Sequence, residues 1–174
     1  SLAPPGAKPH TIPSLISFLV FFYLIYIGVS GPRDPLQNLL PLTLFTVWWI
    51  CFPVLQALLG DLWCWINPWD GPVQIVFKGR SYKKLPHQVG VWPAIISFSL
   101  AAVYTLTDLA PDDPDRLAWV ASGYWLFTFA MCGVFGKDWL HKGEGFTVFF
   151  DLLAQLSPLR TSPFSMRLPG QAII

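Results

Sequence analysis

The chain has 174 residues, of which 53% are hydrophobic and only 12% are charged. Average soluble domains carry about 25% charged residues, so this composition excludes an ordinary water-soluble domain. The formal net charge of +1 offers no basic surface for nucleic acid, and the three Cys residues exclude a disulfide framework, because they are few and far apart. We therefore predict a single helical domain that lies in a membrane.

Four long apolar stretches without charged residues dominate the sequence. We predict that they form transmembrane helices at roughly Ile12–Val29, Leu36–Gly60, Val89–Thr107 and Leu117–Gly136. Each has close to the roughly 20 residues that an α-helix needs to cross about 30 Å of hydrocarbon. The breaker-rich link GPRDP predicts that the first two spans form an antiparallel hairpin. Pro41 and Pro53 lie inside the second span and are expected to bend it without ending it.

Two aromatic segments separate or follow these spans. Gly60–Pro72 carries three Trp and two Asp residues, and Phe146–Leu156 is apolar but short. The first is too polar to cross a membrane and the second is too short, so both are predicted to be interfacial or re-entrant. A fifth span at Phe146–Leu156 is the alternative.

These elements define the predicted architecture. The fold class is all-α, a polytopic transmembrane helical bundle of about four spans with two aromatic interfacial or re-entrant segments. The predicted organisation is an extended N-terminal tail over 1–11, a transmembrane domain over 12–158 and a C-terminal tail over 159–174. This last tail breaks off without a recognisable stop, which indicates that the protein continues in a longer chain.

The distribution of basic residues predicts the orientation. Of the eleven Lys and Arg residues, only Arg33 and Arg116 lie in the loops on one side of a four-span bundle. Basic residues stay on the cytoplasmic side, so both termini are predicted to be cytoplasmic in a bacterial inner membrane. The acidic loop between the third and fourth spans then faces outward.

A short internal similarity connects the two halves. The second span ends in Gly60-Asp61-Leu62-Trp63, and the fourth ends in Gly136-Lys137-Asp138-Trp139. A Gly-containing break and a short apolar segment follow each of them. Two parallel units of a helix and an interfacial piece would explain this pattern. Chance similarity between aromatic-rich membrane segments explains it as well.

The Trp residues are the main candidates for contacts with the surroundings. Indole rings collect where the membrane meets water, and large aromatic faces also pack against other helices. The predicted interface residues are Trp48, Trp49, Trp63, Trp65, Trp69 and Trp139. We expect contacts with membrane lipids and other membrane protein subunits. No cofactor is predicted, although these faces would also suit a quinone or a pigment.

Three motifs carry a resemblance to a known family. They are the Gly-Asp-x-Trp turn that leads to Asn67-Pro68-Trp69, the helix entry Gly90-Val91-Trp92-Pro93, and Trp139 followed by Gly143-Glu144-x-Phe146. Across roughly Pro35–Pro158 the chain resembles bacterial integral membrane proteins named fenitrothion hydrolase. The resemblance implies a longer protein with further spans, and the family name implies phosphotriester hydrolysis.

The residues themselves give weak support for hydrolysis. Such a reaction usually needs water activated by a metal ion, and the best local cluster is Asp138, His141 and Glu144. Ordinary solvated charges in an interfacial segment are the alternative for these three. No GxSxG element, phosphate-binding Gly loop or charged residue within a span is present.

The sequence therefore favours a non-catalytic role. We expect an accessory or structural subunit that packs within a larger membrane complex, of a bioenergetic or oxidase type. A membrane-bound, metal-dependent phosphotriester hydrolase and a part of a small-solute transporter are the alternatives.

Overall fold

The computed structural model describes residues 10–78, 80–157, 159–161 and 164–166, with backbone alone for the last two ranges. The predicted N-terminal tail up to residue 9 and most of the predicted C-terminal tail lie outside this description. The helices are α1 (Thr11–Ser30), α2 (Leu39–Leu59), α3 (Trp63–Ile66), α4 (Asp70–Phe77), α5 (Trp92–Thr107), α6 (Pro114–Phe135), α7 (Lys137–Lys142) and α8 (Gly145–Ala154). After α8, β1 (Leu159–Thr161) and β2 (Phe164–Met166) form a short antiparallel pair, with Leu159 opposite Met166.

The predicted all-α helical bundle is confirmed. Three helices, α1, α2 and α6, are long and apolar enough to cross a membrane, with 20, 21 and 22 residues. The predicted third span is shorter than expected, because α5 has only 16 residues, or about 24 Å at 1.5 Å per residue. His87–Val89 wind as a 3₁₀ turn and Gly90 has a positive φ of 53°, so the helix begins at Trp92 instead of Val89.

Helix α2 runs through both of its prolines, as predicted. Its middle part, Leu42–Cys51, is wound as a π-helix, and Phe52–Leu59 returns to the α form. Pro53 has no N–H to donate and its ring crowds the preceding turn, and both effects favour the wider winding before it. The helix ends at Gly60, whose φ of 96° suits a residue without a Cβ.

The link between α1 and α2 depends on a buried Asn38. Its side chain accepts a hydrogen bond from Leu40 N at 3.0 Å, which caps α2. Its amide nitrogen donates to Ile27 O at 3.0 Å and to Pro32 O at 2.8 Å. One amide thus closes the predicted hairpin from both sides.

Helices α1 and α6 pack closely together. At Gly28 a Cβ would lie 2.4 Å from Leu40 Cδ2 and 3.0 Å from Ala118 Cβ, so only glycine permits this approach of the three helices. Farther along α1, the rings of Phe18 and Phe22 lie 5.3 and 5.1 Å from that of Trp125.

Two pairs of short helices fill the space between the long ones. We call α3–α4 the first inserted pair and α7–α8 the second inserted pair. Glu144, between α7 and α8, contacts Tyr124 at the middle of α6, whereas Ser157 after α8 donates to Leu58 O at 2.9 Å near the end of α2. The second pair therefore enters the bundle to about half its depth and returns to the end where it began, which is the re-entrant arrangement. The 10-residue α8 does not form a fifth span.

The two halves of the chain share one order of elements, two longer helices followed by an inserted pair. The helices that start them also begin alike, since Pro13–Phe18 reads PSLISF and Pro93–Phe98 reads PAIISF. In both halves the first helix packs against the last, α1 against α4 and α5 against α8. This arrangement agrees with two parallel units and extends the similarity predicted for the ends of the second and fourth spans.

Candidate functional site: a buried polar junction

The tips of the two inserted pairs meet in a group of buried polar residues that we call the polar junction. Its members come from α1, α6 and both inserted pairs. They are Ser14, Asn67, Tyr124, Glu144 and Thr147. Ser14 and Glu144 are at most 1% exposed, and Asn67 and Thr147 at most 5%. A polar side chain at such a position is costly unless it is hydrogen-bonded, so its partners decide what it can do.

Asn67 forms the tip of the first inserted pair. The following Pro68 disfavours helical backbone at residue 67, which separates α3 from α4. The Asn67 side-chain oxygen accepts a hydrogen bond from Trp69 N at 3.0 Å. Its amide nitrogen donates to Thr147 Oγ1 of the second inserted pair at 3.2 Å. The two tips are therefore in direct contact.

Glu144 forms the tip of the second inserted pair. Its carboxylate accepts hydrogen bonds from Phe146 N at 3.0 Å and from Thr147 N at 2.6 Å, and so caps α8. The hydroxyl of Tyr124 donates a third hydrogen bond to it. The positive end of the α8 dipole also favours a negative charge at this point.

Gly145 lets this tip approach α5. A Cβ on Gly145 would lie 2.8 Å from Ala94 O and 2.8 Å from Phe98 N, and these are backbone atoms that cannot swing aside. The glycine beside the cap therefore sets how closely the second inserted pair packs on α5.

Ser14 joins α1 to the first inserted pair. Its hydroxyl donates to the Asn67 carbonyl and accepts from Gly71 N at 2.6 Å. Because the proton of this hydroxyl is directed at a carbonyl and not at a base, Ser14 lacks the arrangement of an activated nucleophile.

Two indole rings extend the junction. Trp63 Nε1 donates to Thr147 Oγ1 at 2.9 Å, and Trp69 Nε1 donates to Trp125 O at 3.1 Å. By contrast, the indole N–H groups of Trp125 and Trp139 are buried and have no hydrogen-bond partner among the residues that the structure describes. Trp63 and Trp69 therefore hold the inserted pairs by a hydrogen bond as well as by packing.

Gln56 of α2 connects both inserted pairs at a second place. Its side-chain oxygen accepts from Leu62 N at 2.9 Å and from Trp63 N at 3.1 Å. Its nitrogen lies 3.2 Å from both Asp61 Oδ1 and Phe150 O. Gln56 is fully buried, and its one amide hydrogen-bonds with four groups from both inserted pairs.

The electrostatics of the second inserted pair differ from those of a solvated surface. Burial raises the pKa of Glu144, while its hydrogen bonds from Thr147 and Tyr124 act in the opposite direction. Burial also raises the pKa of Asp151 to about 7, with further contributions from Asp61 and Glu144. Neither Glu144 nor Asp151 takes part in an ion pair within the described residues. The ion pair of Lys137 Nζ with Asp70 Oδ1, at 2.6 Å, joins the two inserted pairs.

The three residues predicted as a hydrolytic cluster have different surroundings. Asp138 and His141 are exposed on α7, whereas Glu144 is buried against Tyr124. Within the described residues, no group of three or more His, Cys, Asp and Glu side chains is placed to hold a metal ion. The structure therefore does not bring Asp138, His141 and Glu144 together into one site.

The predicted interface Trp residues divide into buried and exposed ones. Trp63, Trp69 and Trp139 are 3–5% exposed and belong to the core. Trp48 packs edge-on against Phe146, with ring centroids 4.5 Å apart. The exposed ones are Trp49, at 41%, and Trp65, at 50%, which stacks on His10 at 3.9 Å. Gly60–Pro72 is thus not a segment that lies flat at the surface.

The prediction from sequence missed Ser14, Gln56, Tyr124 and Thr147. None of these four is charged, and a charge within an apolar stretch is the stronger signal in a sequence. An uncharged polar side chain within an apolar helix also needs a partner, because lipid provides none. Gln56 near the end of the second span was the clearest such signal.

Comparisons with protein-family models, with curated proteins and with solved structures find no match to this chain.

Proposed function

We propose that the chain is a non-catalytic integral membrane protein that serves as a subunit of a larger membrane assembly. One observation carries the proposal: the polar groups of the junction hydrogen-bond to one another. Catalytic groups are usually directed into a cleft where a substrate binds. Two cavities in the described part of the chain, of about 270 and 240 Å³, lie elsewhere and have other linings. The junction thus acts to hold the inserted pairs between the long helices.

An uncovered aromatic face supports the role of a subunit. Helix α1 of the first half packs along α6 of the second. In the repeat, α5 corresponds to α1 and α2 corresponds to α6. Helices α5 and α2 contact each other through the rings of Phe98 and Trp49. Trp49 of α2 stacks at 5.9 Å on Phe98 of α5 and at 6.2 Å on Phe149 of α8. With Trp49 41% exposed, this face suits a further apolar helix.

The proposed location is the cytoplasmic membrane of a bacterium, with the start of α1 and the basic loop between α4 and α5 on the cytoplasmic side. The excess of Lys and Arg on that side supports this orientation.

The test is native mass spectrometry of the protein extracted in membrane nanodiscs without detergent. The proposal expects a defined assembly heavier than the 19.5 kDa of the chain, and expects Trp49→Ala to weaken it. Trp119→Ala, at a 69% exposed position on α6, is the matched control. A monodisperse monomer in nanodiscs would refute the role of a subunit.

A transport function is the second candidate, and the inserted pairs favour it. In many transporters, interrupted helices in corresponding positions of two repeats meet near the middle of the membrane and form the solute site. The tips at Asn67 and Glu144 meet in this way. Stopped-flow light scattering of proteoliposomes with glycerol and urea as probes tests it. Rates equal to those of empty liposomes would reject transport of such small solutes.

The hydrolase implied by the family resemblance is the least supported alternative. It requires Asp138, His141 and Glu144 to act on a phosphotriester. A triple Ala variant with full hydrolytic activity would exclude these residues as its site.

A further inference from the structure

A groove of about 270 Å³ lies between α5, α6 and α7. Its lining includes Val89, Trp92, Ile96, Leu100, Phe127 and Trp139. Trp92 and Ile96 are 65% and 56% exposed, so the groove opens toward the outside of the bundle. From Trp92 to Leu100 it follows α5 for about 12 Å at 1.5 Å per residue. A narrow apolar slot of this kind suits a hydrocarbon chain.

Basic residues lie at the end of the bundle from which α5 starts. Arg80, Lys83 and Lys84 are exposed on the loop that leads into α5, and Lys142 is exposed on α7, one turn after Trp139. None of these four side chains makes an ion pair with another residue in the part of the chain that the structure describes. Their charges are therefore available to an anion at the mouth of the groove.

Two contacts attach the basic loop to the end of α6. Lys83 N–H donates to Val134 O at 2.7 Å, which attaches the loop to the last turn of α6. Ser81 packs on Gly136, where a Cβ would lie 2.9 Å from Ser81 Cβ. Because the loop is attached on both sides of residue 82, the lysine side chains start from the same end of the bundle as Trp139.

We propose that this groove binds one acyl chain of an anionic phospholipid, with Lys83, Lys84 and Lys142 at its headgroup phosphate. An apolar groove suits the acyl chain, and basic residues at one end of it suit the negative headgroup, so an anionic phospholipid fits both features. A phosphatidylcholine of equal chain length fills the slot but gains less from the lysines, because its headgroup carries a compensating cation. A quinone tail fills it without using them at all. The exposed indole of Trp92 lies where ring residues usually meet the headgroup layer.

The test compares two lipids that share the same acyl chains. The full chain is purified, stripped of lipid and titrated with phosphatidylglycerol or phosphatidylcholine, and bound lipid is counted by native mass spectrometry. We expect phosphatidylglycerol to bind at least about tenfold more tightly. The double variant Lys83→Gln/Lys84→Gln should weaken it by roughly 10- to 30-fold, as expected for about 1 kcal/mol per lysine. Arg33→Gln, an exposed charge in the loop between α1 and α2, is the matched control.

A second variant tests the slot itself. Ile96→Trp fills the groove from a largely exposed position and should displace the lipid. Ile95→Trp, at the neighbouring position outside the groove and 47% exposed, should leave binding unchanged. Equal binding of the two lipids, or a double lysine variant that binds like the unmodified chain, would overturn the proposal. So would undiminished binding by a folded Ile96→Trp protein.

Discussion

In each half of the molecule the inserted pair is attached to the first helix of that half, by partly different contacts. In the first half, the inserted pair is attached to α1 by the hydrogen bonds of Ser14 with Asn67 O and Gly71 N, together with close packing at Gly71, where a Cβ would lie 3.1 Å from Thr11 O. In the second half, the inserted pair is attached to α5 by close packing of backbone, at Gly145. Small residues and interhelical hydrogen bonds are the two means by which helices associate in lipid. The hydrogen bonds from Ser14 thus distinguish the first joint from the second.

The tips differ in charge as well. Asn67 is neutral and bridges to the other tip, whereas Glu144 is acidic and caps its own helix. Replacing the neutral Asn67 amide removes two side-chain hydrogen bonds, whereas the Glu144 carboxylate accepts three, from the Tyr124 hydroxyl and from two backbone N–H groups. The second tip is therefore expected to be the more sensitive one.

The largest change in the free energy of unfolding is expected for substitutions at the two tips. Glu144→Ala leaves the Tyr124 hydroxyl and two backbone N–H groups without their acceptor and should lower the free energy of unfolding by about 3–5 kcal/mol. Asn67→Ala should cost about 1–3 kcal/mol. Equilibrium unfolding in mixed micelles, followed by Trp fluorescence, measures both. Glu144→Gln retains one acceptor, so its free energy of unfolding should lie between those of the Ala variants and that of the unmodified chain. An equal loss of unfolding free energy for both Ala variants would contradict the ranking.

The next effect concerns the packing of the second half. Gly145→Ala places a methyl group 2.8 Å from backbone atoms of α5 and should cost about 1–3 kcal/mol through overpacking. The control is Gly123→Ala in α6, where nothing lies within 4 Å of the added Cβ. That change should be neutral or stabilising by up to about 1 kcal/mol, because Ala is the better helix former. If the Gly145→Ala protein is as stable as the Gly123→Ala protein, α8 and α5 can move apart to accommodate the methyl group without loss of stability.

Paired Trp variants sharpen the role of the hydrogen bonds. Trp63→Phe removes ring volume and the hydrogen bond to Thr147. Trp139→Phe removes a similar volume from an indole whose N–H has no hydrogen-bond partner among the described residues. Both rings are buried, so the difference between the two losses isolates the hydrogen bond. We expect Trp63→Phe to cost about 1 kcal/mol more. Thermal unfolding of the two proteins in the same detergent measures that difference, and equal melting temperatures would argue against it.

The smallest effect is expected at the contact that joins the halves near the surface. Lys137→Met removes the ion pair with Asp70. The side chain of Lys137 is 37% exposed. Partly exposed ion pairs contribute about 0.2–1 kcal/mol, and salt screens them. The loss should therefore shrink when unfolding is measured at high ionic strength. A loss that is independent of salt would point to packing of the lysine stem instead.

Hydropathy was sufficient to locate the long helices, because a run of apolar residues has only one stable form in lipid. The start of α5 escaped prediction, since the 3₁₀ turn at His87–Val89 and the positive φ of Gly90 depend on local backbone geometry that an apolar pattern does not reveal. The burial of Trp63 and Trp69 was missed for another reason. It depends on partners at Thr147 and Trp125, far away in sequence.

The attachment of α5 has a consequence for how the protein is made. This helix, the shortest of the apolar ones that run between the two ends of the bundle, packs mainly on α8. A ribosome releases α5 several dozen residues before it has synthesised that partner. Helix α1 is followed by its own partner α4 after a similar interval but nearer the start of the chain, so the amino-terminal unit is complete first. During biogenesis α5 therefore waits at the translocon or in the bilayer until the last helix arrives to retain it.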